Sequence, residues 1–282
     1  MKVLIVGCLG MLGTDLMDAF GPLHDVTGYD RPELDITSPE ACLAAVKKLQ
    51  PDVIVNAAAF ARVDDCESHE KEAFGVNGYG AGNLSKAAAS AGSLFVHFST
   101  DYVFDGTKKD SYREEDAPNP QSVYGKSKLL GENLVRRNCP DHLILRTAWL
   151  FGRNGPNFIH TIVGAAAKGT PLRVVSDQRG SPTYSKDLAA QTLKMISAGC
   201  RSTYHVTNGG FCTWFDLASK AVEWAGIEGV LITPVSTSEF PRPAPRPANS
   251  TLANARLKQE GLPLMRSWQE ATREYVENHL KK

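Results

Sequence analysis

The sequence predicts an α/β chain in which a doubly wound parallel sheet is followed by a smaller C-terminal unit. Short apolar strands alternate with helices up to Leu150. A glycine-rich turn, Gly7-Cys8-Leu9-Gly10-Met11-Leu12-Gly13, stands at the first strand–helix junction. Beyond Leu150 the alternation loosens, and the prolines Pro241, Pro243, Pro245 and Pro247 crowd together.

Taken in chain order, Lys2–Val6 is a buried strand, because Val3, Leu4, Ile5 and Val6 form an apolar run that stops at glycine. Met11, Leu12, Leu16, Met17 and Phe20 recur at helical spacing, and Gly21-Pro22 supplies the stop. A second strand, Asp25–Tyr29, ends at Asp30. Ser38 caps a helix over Pro39–Leu49, with Pro39 at its first position and Pro51 past its end. A third strand covers 52–55; the alanine-rich stretch 71–91 closes at Gly92; 94–98 is apolar, 123–137 helical and 143–146 a strand. Strands separated by helices pair in parallel and are covered on both faces, which is the Rossmann-type arrangement. In the second half the pattern predicts a helix near 157–168 and a strand at Leu172–Val175. A further helix starts at Thr213, with Asp216 completing a capping pattern, and stops at Gly226. The proline stretch is a loop, and 268–280 is an amphipathic helix. The division that follows is 1–150 for the sheet domain and 151–282 mainly for the smaller unit, with a segment near 183–207 returning to the sheet.

At 282 residues, with 42% hydrophobic and 22% charged residues, the chain can bury a sizeable core, which excludes general disorder and a small disulfide scaffold. Lys+Arg and Asp+Glu are 31 each, so no net field draws it to nucleic acid or to an anionic membrane. Lys2 opens an apolar run that Gly7, Gly10, Gly13 and Asp15 interrupt far short of signal or membrane-span length, so a cytoplasmic protein is expected. The cysteines form no C-x-x-C pair and the histidines no H-E-x-x-H, which argues against structural zinc.

The glycine turn points to a dinucleotide. Gly7, Gly10 and Gly13 let the backbone approach a pyrophosphate, whose charge the free N–H groups of the helix starting at Met11 and Leu12 favour. Asp30, at the end of the second strand, suits ribose hydroxyls and hence NAD; Arg31 beside it suits a 2′-phosphate and hence NADP. Asp35-Ile36 and Ala57-Ala58-Ala59 also follow strands at the carboxyl side of the sheet; the small alanines either leave room for a cofactor or pack a helix closely.

Tyr124-Gly125-Lys126-Ser127-Lys128 places a phenol and an ammonium at i and i+4 on one helix face. An adjacent ammonium favours the phenolate, which predicts a proton donor of lowered pKa. Upstream, Ser99-Thr100-Asp101-Tyr102 leaves a strand with hydroxyls at its carboxyl end, where Thr100 can hydrogen-bond a carbonyl oxygen.

These motifs together resemble the extended short-chain dehydrogenases/reductases. Val63-Asp64-x-x-Glu67, Arg146-Thr147-Ala148-Trp149, Asn157-Phe158, Asp177-Gln178-x-Gly180 and Arg246-Pro247-x-Asn249-Ser250 are similar, over nearly the whole chain, to the dTDP-4-dehydrorhamnose reductase family. The resemblance implies reduction of the 4-keto group of dTDP-4-dehydro-L-rhamnose by NADPH or NADH. It implies Tyr124 as proton donor, Lys128 on the nicotinamide ribose and lowering the Tyr124 pKa, and Thr100 orienting the carbonyl. Asn77 and Ser99 join the cofactor contacts, while Asp101, Tyr102, Trp149 and Arg246 face the substrate, Arg246 toward the nucleotide diphosphate. On the residues alone Trp149 reads equally as a core tryptophan, and Arg246 as a surface residue. Some members of the family bind magnesium through clustered carboxylates at a dimer interface; here Ser185-Lys186-Asp187 carries a lysine, so no metal is expected, while a homodimer stays open. An epimerase or dehydratase acting on nucleotide sugars, or a non-catalytic regulatory subunit, are the alternative readings. Thr100-Asp101-Tyr102 lacks the Asp-Glu pair of dehydratases, and intact Thr100, Tyr124 and Lys128 speak against lost chemistry.

Overall fold

The computed structural model describes residues 1–281. Its first elements are β1 (Lys2–Val6), α1 (Met11–Phe20), β2 (Asp25–Tyr29), α2 (Pro39–Leu49) and β3 (Val53–Asn56). They are followed by α3 (Val63–Ser68), α4 (Glu70–Ala73), α5 (Ala81–Ala91), β4 (Leu94–Thr100), α6 (Val123–Asn138) and β5 (His142–Thr147). Then come β6 (Leu150–Phe151), α7 (Phe158–Ala166), β7 (Leu172–Val175), β8 (Arg179–Gly180), β9 (Thr183–Tyr184), α8 (Ser185–Ser197) and β10 (Ser202–His205). The chain closes with β11 (Cys212–Thr213), α9 (Trp214–Trp224), β12 (Ile232–Val235), α10 (Ala255–Gln259) and α11 (Trp268–His279).

The main sheet is six-stranded, in the order β10-β5-β4-β3-β1-β2, and its pairings are parallel. Because β1 lies between β2 and β3, the chain reverses its direction of winding there, and the carboxyl ends of β1 and β3 flank a crevice suited to a ligand. Alternation along β1 sends Val3 and Ile5 to one face, against Leu12, Leu16 and Phe20 of α1 and Leu188 and Met195 of α8. Leu4 and Val6 go to the other face, with Val46, Leu84, Ala87, Ala88 and Val135. Both faces are covered, which is why these strands read as unbroken apolar runs rather than alternating ones. Around α7, α9 and α11 a separate core gathers Phe151, Ile159, Leu217, Trp268 and Tyr275. No helix among the described residues is long and apolar enough to cross a membrane.

The stretch 71–91 is not one α-helix: Phe74–Gly80 is π-helical between α4 and α5. Its glycines fit this. A Cβ on Gly78 would stand 2.7 Å from the Leu130 side chain, and one on Gly80 2.7 Å from that of Ile36, so at these two positions the wound segment packs closely on its neighbours. The strands at 94–98 and 143–146 run on to Thr100 and Thr147, carrying the ladder to the edge of the crevice.

Candidate active site

The glycine turn is held by the end of β2. Gly7 and Cys8 donate their N–H groups to the Tyr29 carbonyl at 2.8 and 3.3 Å, and Leu9 N–H donates to Asp30 Oδ2 at 3.1 Å. Gly7 is left-handed, with φ of +81°, and a Cβ there would lie 2.6 Å from Ala58 N. A Cβ on Gly13 would collide with the Gly7 carbonyl. Gly10 starts α1 with no side-chain cap, which leaves the first N–H groups of the helix to an outside acceptor.

Above this turn two adjoining clefts follow the carboxyl edge of the sheet. Gly7, Gly10, Asp30, Arg31, Asp35, Ile36 and Ala57–Ala59 wall the first. Gly10 and the alanines continue into the second, with Met11, Leu12, Gly13, Ser99, Thr100, Asp101, Tyr102, Tyr124, Lys128 and Trp149. Asn77 is on neither wall: it is 1% exposed, accepts from Phe60 N–H at 2.8 Å, and donates to Phe60 O and Ser127 Oγ, each at 3.0 Å. Its amide is occupied in tying the π-helical segment to its neighbours, away from both clefts.

Ser122 caps α6 by accepting from Gly125 N–H at 3.1 Å. Gly125 lets the helix press against the turn after β4: a Cβ would be 2.2 Å from the Tyr102 carbonyl. The rings of Tyr102 and Tyr124 meet edge to face, 5.6 Å between centroids. Thr100 Oγ1 donates to Asp101 Oδ1 at 2.9 Å and accepts Tyr102 N–H at 3.2 Å. Burial pushes the Asp101 carboxyl up to about 6 against hydrogen bonds that stabilise its charge. It also pulls Lys128 down to about 8, opposed by Glu132.

The expected effect of Lys128 on Tyr124 is corrected. Burial raises the Tyr124 phenol above its ordinary value, opposed by the neighbouring Thr100 hydroxyl, the reverse of the expected lowering. The Lys128 ammonium donates instead to the Phe98 carbonyl at 2.6 Å.

Trp149 has a left-handed backbone, φ +45°, a strained state for an aromatic residue. Its indole lies flat on Trp214, 3.5 Å between centroids and 8° between planes, and Trp214 Nε1 donates to Gln178 Oε1 at 3.2 Å. Trp214 also lines the second cleft. No local signal in the sequence singles it out, since its stacking partner is 65 positions away. Arg246 lies in an adjoining recess that shares Tyr102 with the second cleft. It is not a free surface guanidinium: it pairs with Asp64 Oδ1 at 2.9 Å and donates to the Ala244 carbonyl at 3.0 Å.

A glycine turn at the winding switch of a parallel sheet, a strand-end threonine and a Tyr-x-x-x-Lys helix on one cleft are the features of a nicotinamide-dependent reductase of the extended short-chain class. The family model described as RmlD substrate binding domain matches residues 1–281. A spore coat polysaccharide biosynthesis protein, SpsK, of Bacillus subtilis is 39% identical over 277 residues, 98% of this chain and 97% of its own. A solved dTDP-4-dehydrorhamnose reductase of Clostridium acetobutylicum superposes with a TM-score of 0.96 at 42% identity, covering 99% of each chain. That of Bacillus anthracis, solved in complex with NADP, gives 0.96 at 36% identity, covering 98% of this chain and 99% of its own. The chain belongs to the dTDP-4-dehydrorhamnose reductase family.

Proposed function

We propose that this chain catalyses the NAD(P)H-dependent reduction of the 4-keto group of dTDP-4-dehydro-L-rhamnose to dTDP-L-rhamnose, with residues 1–150 carrying the cofactor and 151–282 mainly the sugar side. The single observation that carries the reading is that the uncapped start of α1 and the Thr100–Tyr124 hydroxyl pair open onto one continuous crevice. The residues fit a dinucleotide: the cradle at Gly7 closes if any Cβ is added, and the backbone around Gly10 offers N–H groups to a pyrophosphate. When bound, the reduced nicotinamide supplies hydride to the carbonyl carbon.

The chain's own residues do the rest. The Thr100 hydroxyl, turned from Asp101 Oδ1, and the Tyr124 hydroxyl meet the carbonyl oxygen, and the charge developing there draws the proton from Tyr124. Burial disfavours the phenolate, so Tyr124 stays protonated until that oxygen becomes basic. Lys128, anchored on Phe98 O, presents its remaining N–H donors to ribose hydroxyls. Trp149, Trp214 and Tyr102 give flat apolar walls that suit a deoxysugar and exclude water, and Arg246 faces the diphosphate.

The test is turnover of dTDP-4-dehydro-L-rhamnose with NADPH and with NADH, following reduced cofactor and identifying product by NMR. Stoichiometric oxidation to dTDP-L-rhamnose is expected. Isomerised or dehydrated sugar without net oxidation would make it an epimerase or dehydratase, and no turnover would favour a regulatory subunit.

A further inference from the structure

The motif Val63-Asp64-x-x-Glu67 takes no part in the chemistry just described, yet its two carboxylates leave one short helix in different directions and grip two parts of the site. Asp64 Oδ1 accepts from Arg246 at 2.9 Å and from the backbone N–H of Ala244 at 3.2 Å, while Arg242 stands 4.0 Å from Oδ2. Glu67 Oε1 accepts from the backbone N–H of Val123 at 2.9 Å. Val123 is the first residue of α6 and immediately precedes Tyr124. Between the two acids Cys66 is fully buried, its thiol directed at the Phe60 carbonyl, so the helix is seated on the wall of the cleft rather than hanging from it.

Both grips answer a physical need. Four prolines narrow the freedom of the 241–247 loop, but they do not aim a guanidinium; a carboxylate holding both Arg246 and a backbone N–H two residues earlier does. The first N–H groups of α6 have no partner inside the helix. Ser122 takes the one at Gly125 and Glu67 the one at Val123, its negative charge favoured by the helix N-terminus.

We propose that α3 is a brace that holds the substrate-arm arginine and the start of the catalytic helix in one frame, Asp64 and Glu67 being positioning residues that act through Arg246 and Tyr124. The inference rests on the roles given above to those two residues. Asp64 serves substrate affinity, because it aims the group that meets the diphosphate. Glu67 serves the chemical step, because it sets the register of the turn that carries the phenol.

Steady-state kinetics on the full chain separate the two. Asp64→Ala raises the KM for the nucleotide sugar about tenfold, the scale of one lost charge-assisted hydrogen bond, with kcat and the cofactor KM within about twofold of wild type. Asp64→Asn recovers part of this, since it keeps an acceptor for Ala244 but not the charge facing Arg246. Glu67→Ala lowers kcat about fivefold with both KM values unchanged, and Glu67→Gln restores it, because an amide oxygen still accepts the Val123 N–H. An unchanged or lowered sugar KM in Asp64→Ala, or Glu67→Gln as slow as Glu67→Ala, overturns the brace. So does a lowered melting temperature with kcat and both KM values shifted alike, in the alanine and the conservative variants together. Arg246→Ala is the control: if it leaves the sugar KM unchanged, the diphosphate role of Arg246 fails; if it raises the KM and Asp64→Ala does not, the brace alone fails.

Discussion

The end of the cleft proposed to take the nucleotide and the end proposed to take the sugar are built by different means. At the nucleotide end the walls are main chain and small residues: Gly7, Gly10 and Gly13 in one turn, Ala57–Ala59 in the next, with Tyr29 O and Asp30 holding the turn from β2. At the sugar end they are large side chains from segments far apart in sequence: Tyr102 after β4, Trp149 after β5, Trp214 on α9, and Arg246 from the proline loop beside them. A backbone site is written where it stands, because glycine spacing and a strand–helix junction fix it locally. A side-chain site exists only once tertiary packing has brought its parts together.

The largest effect is expected where the two ends meet. Tyr124→Phe removes one hydroxyl between them, and kcat should fall by about two or more orders of magnitude while cofactor affinity is kept. Rapid-quench turnover together with cofactor titration checks this, and a near-wild-type kcat would take Tyr124 out of the mechanism.

Two glycine substitutions sharpen it. Gly7→Ala places a Cβ 2.6 Å from Ala58 N on a left-handed backbone, and such strain should weaken cofactor binding by about tenfold or more. Gly180→Ala places one 2.1 Å from the Trp149 indole. That side chain must then leave its stack on Trp214, raising the sugar KM about tenfold with cofactor affinity unchanged. Isothermal titration for the cofactor and KM for the sugar distinguish them; if both variants damage both ligands equally, the two ends are not separately built.

What could be read ahead follows the same line. The strands of the sheet, the caps at Ser38 and Thr213, and the glycine turn are local signals: an apolar run, an oxygen at the N-cap, a spacing. Tyr124 and Lys128 were legible because i and i+4 share a helix face. Two things were not. In the π-helical turn at Phe74–Gly80, Asn77 reaches Phe60 and Ser127, and no periodicity reports such a contact. The electrostatics of Tyr124 and Lys128 depend on what surrounds both in the fold and on the Phe98 carbonyl taking the ammonium, so a pairing inferred from spacing gave the wrong direction for the phenol.

The buried lysine predicts a smaller effect with opposite signs for activity and stability. Its pKa in the fold is about 8, below the ordinary 10.5, because burial disfavours the charge. The ammonium is the form that offers donors to ribose, so kcat/KM for the cofactor should decline as pH rises through about 8. Between about 8 and 10.5 the unfolded chain holds more protons at this residue than the folded one, so its contribution to stability increases with pH there. Lys128→Met should flatten both trends, read from pH–rate profiles and from denaturation midpoints.

The smallest expected effect concerns the choice between NADH and NADPH, and it probes the nucleotide end alone. Asp30 and Arg31 both line the first cleft, but they are held very differently. Asp30 is fixed by the Leu9 N–H at 3.1 Å, whereas Arg31 is 76% exposed and pairs loosely with Glu72 at 3.8 Å. A fixed carboxylate opposes a 2′-phosphate with its full geometry, while a mobile, solvated guanidinium attracts one weakly and in a salt-dependent way. Asp30→Ala would confuse the matter, because it also frees the glycine turn and should weaken both cofactors. Asp30→Asn keeps an acceptor for Leu9 and removes only the charge, so it should shift the ratio of kcat/KM toward NADPH by about threefold to tenfold. Arg31→Ala should shift it toward NADH by less, and raising the salt concentration should erase that difference. Michaelis constants for both cofactors in both variants, at low and high salt, decide it: a larger and salt-resistant effect at Arg31 would mean that the arginine, not the aspartate, is the residue fixed at the ribose.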